Sequence, residues 1–540
     1  MGGAFGLKDH AYAEEVLTVV LALAMSRPVK WIEDRAEHFL ASAHAREQVH
    51  EVGIAADEDG RILGLRDRFV ADYGAYCVNI GVGPAVTTQA IMPGPYRFDT
   101  YLTDLTAVAT NKVPSGAYRG FGQPQAVFVM ERMIDRLARH LGLDPADVRR
   151  RNLIGPDDMP HETPSGLNYD SGDYPAALEA ALEQVGYDEW RARQRKERED
   201  GRHLGIGIAS YVEMSGMAPS ADMAFVGFDI GGYTHAVVDI GPQGNVTIST
   251  GIAASGQGHQ TTLAQICATE LGVSVESVRV VQGDTLSTPY DASGSIGSRT
   301  MAVGGVAVKR ASVQIRQKLL EMAAHMLEAS PADLLIEDGR VAVKGATSRG
   351  VSIKEVAEQA TLGHSLPEGM EPGLSAHEIY DPVGLTYAYG VHVVVVDVDP
   401  RTGLVDPLEY AVVHDCGTVI NPSVVEGQIV GGVAQGIGGA LLEELAYSPE
   451  GQLMTTSFMD YMLPTAGEVP PISLGHLETP APNVDGGMKG TGEGGAIGPP
   501  AAFANAVEDA LSPLGVTVRE TPLSPDRVWR LANEELVTAG

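Results

Sequence analysis

Two hydrophobic periods alternate along the chain. Apolar residues recur at helical spacing over residues 12 to 27. The most apolar part, Val16 to Met25, is too short to span a bilayer and is flanked by Glu14, Glu15 and the Arg27-Pro28 pair. It therefore predicts a buried helix. Residues 29 to 78 alternate apolar and polar positions as strands do, interrupted by the polar turn Asp57-Glu58-Asp59-Gly60. Met130, Met133, Ile134, Leu137 and Leu141 then form a helical stripe, with Pro124 suited to its first turn and Gly142 to its stop.

Residues 155 to 204 are rich in charge, Pro and Gly and end in the charged run Arg191 to Asp200, so a domain boundary is expected near residue 204. After it, GIGIASYVE restarts an apolar strand pattern. Strands such as Asn245–Ser249 and Val391–Val398 alternate with helices, three of which follow glycine loops: GQGHQTTLAQI, EGQIVGGVAQG and GTGEGGAIGPP. The expected class is α+β with mixed sheets, in two units, 1–204 and 205–540. The chain opens in a glycine-rich turn, GGAFGLKDH, and not in an element that folds alone. The expectation is that upstream sequence or another polypeptide completes the first unit.

Composition narrows the function. The 540 residues predict about three to four structural units of about 150 residues each. A formal net charge of −32 repels phosphate backbones and argues against nucleic-acid binding. The three cysteines, Cys77, Cys267 and Cys416, have no CxxC spacing, so no zinc or iron–sulfur site is expected within this chain. Sparse cysteine, no signal peptide and no membrane span lead to the expectation of a cytoplasmic protein.

The 64 glycines cluster in loops. A glycine loop at a helix N-terminus offers free backbone N–H groups and a positive dipole end, which suits an anion. Four such loops stand at Gly2–Gly6, Gly116–Gly122, Gly256–Gly258 and Gly490–Gly495. Each alone is equally an ordinary turn. GTGEGG also fits the dinucleotide pattern GxGxxG, but PAPNVDGGMK before it is no buried strand, so a nicotinamide-binding reading is set aside. SGAYRGFGQPQ is more informative, because it places Arg119 and Phe121 between glycines at a helix start. Arg119 can pair with an anion, and Phe121 can wall a planar substrate.

Together these segments resemble the molybdenum hydroxylases of the xanthine dehydrogenase, aldehyde oxidase and aerobic carbon monoxide dehydrogenase type. GGAFGLK resembles that family's GGGFGxK loop. GAYRGFGQPQ is similar to its AYRGFG loop, and GQGHQTTLAQI to its pterin-dinucleotide loop. VHDCGTVINP with GQIVGGVAQGIGGAL, and KGTGEGGAIGPP, resemble two further family segments in the family's order.

The resemblance implies two large cofactor-binding domains with a molybdopterin between them, usually as the cytosine dinucleotide in bacteria. The molybdenum is then held by the pterin and not by protein side chains. Glu493 matches the family's catalytic base, in a hydroxylation that takes its oxygen from water. Phe5, Gly6, Arg119, Gly120, Gly256, Gln257, Gly258, Gln435, Gly490 and Gly492 fall at cofactor-facing positions. Ser298 and Arg299 resemble a cofactor-binding turn. Phe121 matches a substrate-facing aromatic, and Asp9 sits where some members carry a substrate-contacting glutamate.

His259 is read as a loop hydrogen-bonder, not a ligand. Ala85–Tyr96 and Met214–Met223 are expected to wall the pocket. The family's copper-holding cysteine is absent from the Arg119-Gly120-Phe121 loop, which argues against copper-dependent oxidation of carbon monoxide. The implied partners are an iron–sulfur small subunit with 2Fe-2S clusters and an FAD medium subunit, in a hetero-oligomer. The substrate is expected to be an aldehyde or an N-heteroaromatic carbon. The other readings left open are a catalytically incomplete, cofactor-binding scaffold and a carbon monoxide dehydrogenase-like protein without the copper-binding cysteine.

Overall fold

The computed structural model describes residues 2–223 and 230–533. Its centre is a four-stranded sheet in the order Ile472–Leu477, Leu404–Asp415, Thr386–Asp399, Leu204–Ser215. The first pair runs parallel and the other two pairs antiparallel. Val391 to Val396 of the central strand are buried apart from no position, the near-continuous apolar pattern of a strand covered on both faces. The helices Tyr174–Val185 and Gln123–Leu141 cover one side of this core, while Pro422–Leu441 and Pro499–Ala510 cover the other.

The expected boundary near residue 204 coincides with the start of the Leu204–Ser215 strand. One apolar core nonetheless joins residues from both sides of it: Met130, Ile134, Leu178 and Leu182 pack with Ile206, Ile208 and Val393. Arg149 ties the two parts further. It is fully buried between Glu131 and Asp135 and also donates to the Ile208 carbonyl. A second four-stranded sheet, ordered Leu374–Tyr380, Thr234–Ile240, Val246–Thr250, Val278–Val281, packs with the helices His259–Leu271 and Val306–Leu327. A third sheet joins Gln48–Ala56, Ile62–Asp72 and Thr100–Val108. The helices and mixed sheets agree with the expected α+β class.

The predicted Gln123–Leu141 helix forms with Pro124 in its first turn and Gly142 as its left-handed cap. The helix expected over 12 to 27 forms as Ala13–Met25, but the prediction that it is buried is wrong: none of its residues is, and Leu23 is 76% exposed. No other layer among the described residues covers it. The strand pattern from residue 29 also begins later than predicted. Arg35–Ala41 is a helix, because Asp34 accepts from the Glu37 N–H and Glu37 returns a bond to the Asp34 N–H. The Arg191–Asp200 run lies largely in a helix, Tyr187–Glu199. Among the described residues no helix is long and apolar enough to cross a membrane.

Candidate active site

The turn before the Gln123–Leu141 helix bends sharply, with Phe121 at φ 44° and Gly122 at φ 92°. It brings Arg119 inward, where the side chain is buried. The guanidinium Nε donates to the Gly492 carbonyl at 2.5 Å. Its Nη1 donates to Gln435 Oε1 at 2.9 Å, and its Nη2 to the Gln428 carbonyl at 2.9 Å. A buried planar fork is thus matched by four acceptors on two separate segments, Gln428 Oε1 at 3.1 Å being the fourth. Arg119 clamps the Gly490–Gly495 loop to the Pro422–Leu441 helix, and its donors point at these protein oxygens.

The clamp fixes Glu493. Its Oε1 accepts from the Gly120 N–H at 3.0 Å, across 373 positions of sequence. Burial raises the Glu493 pKa from its ordinary value. The Gly120 N–H and the charges of Arg119 and Arg46 oppose that rise, while the nearby Asp9 carboxylate adds to it. The result is a half-buried carboxylate held close to two cations.

The N-terminal loop closes the same space. The Phe5 carbonyl accepts from the Arg119 N–H at 2.7 Å, and the Phe5 ring lies 5.7 Å from the guanidinium carbon. Gly6, at φ 105°, passes so close to Ala117 that a Cβ there would stand 2.7 Å from the Ala117 carbonyl carbon. His10 accepts from the Ala117 N–H at 2.8 Å through Nε2, so Nδ1 carries the proton toward Asn79 Oδ1 at 3.2 Å. Phe121 packs against Gly83, at the start of the Gly83–Ile91 helix. That helix takes up much of the Ala85–Tyr96 segment expected as a wall, and Ala85, Ile91, Met92 and Tyr96 lie in the core instead.

Ser298 lies behind the Glu493 loop, its Oγ 3.0 Å from where a Cβ on Gly492 would stand. Gly490 donates its N–H to Ser215 Oγ at 3.1 Å. Arg299 turns the other way. It is fully buried, pairs with Asp291 at 3.1 Å and donates to the Gly232, Tyr233 and Gly294 carbonyls.

Gln257 folds back on its own loop, with Oε1 accepting from the Ser255 N–H at 2.6 Å. Gly256–Gly258 caps the His259–Leu271 helix, and Gly258 abuts Val424 in the first turn of the helix that carries Gln435. The Gln257 loop is therefore a neighbour of the clamp without bonding to Glu493. His259 is the first residue of that helix; burial holds its pKa at about 4, so its ring is neutral.

Sequence reasoning passed over three residues. Arg46, at φ 81°, donates to the Arg119 carbonyl at 2.6 Å and stacks 4.5 Å over the Tyr118 ring. Gln428 accepts from Arg119, and its place in GQIVGG one helical face from Gln435 is the signal that could have found it. Glu213, buried in the Leu204–Ser215 strand, lies beside the Glu493 loop.

The polar atoms around Glu493 are not all matched. Ser298 Oγ, both Glu213 carboxylate oxygens and Arg46 Nη1 are buried with no hydrogen-bond partner among the described residues. Such orphans are costly unless a polar group meets them. The two donors among them, Ser298 Oγ and Arg46 Nη1, fit a polar, anion-bearing cofactor seated among these loops. No group of three or more His, Cys, Asp or Glu side chains capable of holding a metal ion occurs among the described residues, so a metal here would come with its own chelator.

Gly494 gives the loop its tightest fit. A Cβ there would stand 2.5 Å from Tyr211 Oη, 3.1 Å from Glu213 Oε2 and 3.2 Å from His414 Cε1. Tyr211 cannot swing aside without losing its 2.8 Å bond to His414 Nδ1, whose Nε2 in turn meets Thr491 Oγ1 at 2.8 Å. Gly494→Ala should therefore displace Glu493 and destabilise the fold by about 1–3 kcal/mol, the usual range for overpacking. Denaturant titration together with turnover checks this; a variant unchanged in both would refute the close fit.

The molybdopterin cofactor-binding domain family matches this chain at residues 1–153 and again at 180–470. The nicotine 6-hydroxylase large subunit of Paenarthrobacter nicotinovorans is 41% identical over 98% of this chain and 65% of its own length. The carbon monoxide dehydrogenase large chain of Hydrogenophaga pseudoflava is 40% identical over 99% of this chain and 67% of its own length. The crystal structure of quinoline 2-oxidoreductase from Pseudomonas putida 86 superposes with a TM-score of 0.94 at 41% identity, covering 99% of this chain and 68% of that one. The chain thus spans about two thirds of the length of these relatives.

Proposed function

Because the chain belongs to the molybdopterin-binding large subunits of the molybdenum hydroxylases, we propose that it oxidises an aldehyde or N-heteroaromatic carbon, with water as the oxygen source and Glu493 as the base. The observation that carries this reading is the Glu493 carboxylate, oriented by the Gly120 N–H beside the buried Arg119 clamp. A base needs a fixed lone pair, a tuned pKa and exclusion of bulk water. The N–H bond supplies the first and burial against two cations the second; a bound cofactor and substrate would complete the third.

When bound, the molybdopterin supplies a two-electron acceptor and the route by which water-derived oxygen is delivered. This chain's residues hold it and serve the proton. Ser298, the Gly256–Gly258 amides, and the amide nitrogens that Gln428 and Gln435 keep free of Arg119 would bind it, as the cytosine dinucleotide. Phe121 would wall the substrate, and Asp9 would lie at its polar edge. Electrons would leave through an iron–sulfur small subunit carrying 2Fe-2S clusters and an FAD medium subunit, in a cytoplasmic hetero-oligomer.

Two named relatives, a nicotine hydroxylase and a quinoline oxidoreductase, favour N-heteroaromatics within that substrate class. Carbon monoxide is disfavoured because the Tyr118–Gly122 turn holds no cysteine for copper. The complex, incubated with nicotine, quinoline or an aromatic aldehyde in isotopically labelled water, should yield a hydroxylated product carrying that label. Label arriving from dioxygen instead would overturn the reading. Bound molybdenum with no product from any of these substrates would favour a scaffold.

A further inference from the structure

Glu213 has no place in the chemistry described above, yet it borders the loop that carries it. It stands on the Leu204–Ser215 strand with no exposed surface. Its Oε2 lies 3.1 Å from where a Cβ on Gly494 would stand, one residue beyond Glu493. Neither of its oxygens makes a well-formed hydrogen bond, and the Ser298 hydroxyl next to Gly492 is likewise unmatched. The Glu493 loop therefore has a guanidinium on one flank and an unpaired carboxyl on the other.

Two carboxyls on adjoining segments, one of them with no exposed surface, do not both ionise cheaply, so one keeps a proton more readily than the other. Which one keeps it follows from what faces each. Glu493 accepts the Gly120 N–H and faces Arg119 and Arg46, which favour its charged form and outnumber the Asp9 carboxylate that opposes it. Glu213 faces Glu493 and Arg119 as its charged neighbours, with the Ser298 hydroxyl and the Gly494 N–H as its nearest donors. The remaining titratable groups around it are neutral near pH 7. Tyr211 is held well above the ordinary phenol range, Cys416 is pushed up to about 12, and His414 is pushed down to about 3. Burial first, and the Glu493 charge second, raise the Glu213 pKa to about 8.

We propose that Glu213 is a positioning residue for Glu493: it is the neutral, proton-holding member of a carboxylate pair and so leaves Glu493 ionised at neutral pH. This rests on reading Glu493 as the base, but its test separates the two ideas. Infrared spectroscopy of the complex without substrate should show a protonated-carboxyl band that is lost as pH rises through about 8, where Glu213 ionises. Ionisation of Glu213 should give kcat/KM a transition near pH 8 in the wild type, and Glu213→Gln should abolish both that transition and the titrating band. Glu493→Gln should keep the band and move its loss to lower pH, because the charge that raises the Glu213 pKa is gone.

A wild-type complex with no carboxyl band titrating in this range would overturn the proposal without recourse to any variant. A band that persists in Glu213→Gln, or does not move in Glu493→Gln, would also overturn it. If Glu493→Gln retained turnover while the band behaved as described, the base assignment would fail and the carboxylate pair would stand.

Discussion

Glu493→Gln should leave the molybdenum content of the complex at the wild-type level and lower its turnover by about 10²- to 10⁴-fold, the contribution of a well-placed general base. The amide is nearly isosteric with the carboxylate and keeps an oxygen to accept the Gly120 N–H, so the loop should hold its shape. What disappears is the ability to take a proton. The Glu493 pKa is raised, so the wild type should lose activity as pH falls through that raised value and the carboxylate protonates. The glutamine variant should lack this acid limb. Retained turnover at matched metal content would remove Glu493 from the chemistry.

Arg119→Met should be the more damaging change to the fold. It deletes the donors to Gly492, Gln435 and Gln428 and strands four partly buried acceptors. It also leaves the Glu493 carboxylate without its nearest cation. Removing one partner from a buried, hydrogen-bonded charge cluster costs about 3–5 kcal/mol. The denaturation midpoint should fall accordingly, and the complex should be isolated with little molybdenum. Arg119→Lys should not restore it, because a single ammonium cannot span acceptors on two segments. A methionine variant with the wild-type midpoint and metal content would show that the clamp does not hold the site.

The parts of the molecule legible in the sequence were those fixed by local chemistry. Pro124, the apolar stripe to Leu141 and the Gly142 cap define one helix without reference to anything distant. The glycine loops announce close backbone approaches: Gly6 passes against Ala117, and Gly120 donates its N–H to the carboxylate that follows Gly492. What the sequence concealed depends on partners far along the chain. Arg46 and Arg119 meet across 73 positions, and Arg119 reaches Gln428 across 309. Glu213 reads as a polar residue in an apolar strand, and only its apposition to Gly494 gives it meaning.

The helix Ala13–Met25 misled for a related reason. A segment apolar on all sides reads as buried, but burial requires a neighbouring layer, and no local pattern reports whether one is there. The capping pair Asp34 and Glu37 outweighs the alternation around it, which is why a helix stands where strand was predicted.

The claim on which the account rests is that these loops enclose one metal-bearing cofactor with Glu493 at its edge. Locating molybdenum by its anomalous scattering in crystals of the loaded complex tests it most directly. The account predicts a single strong peak in the space bounded by Glu493, Gly120 and the Phe5 loop. A peak on the opposite side of the central sheet, out of reach of that carboxylate, would contradict it.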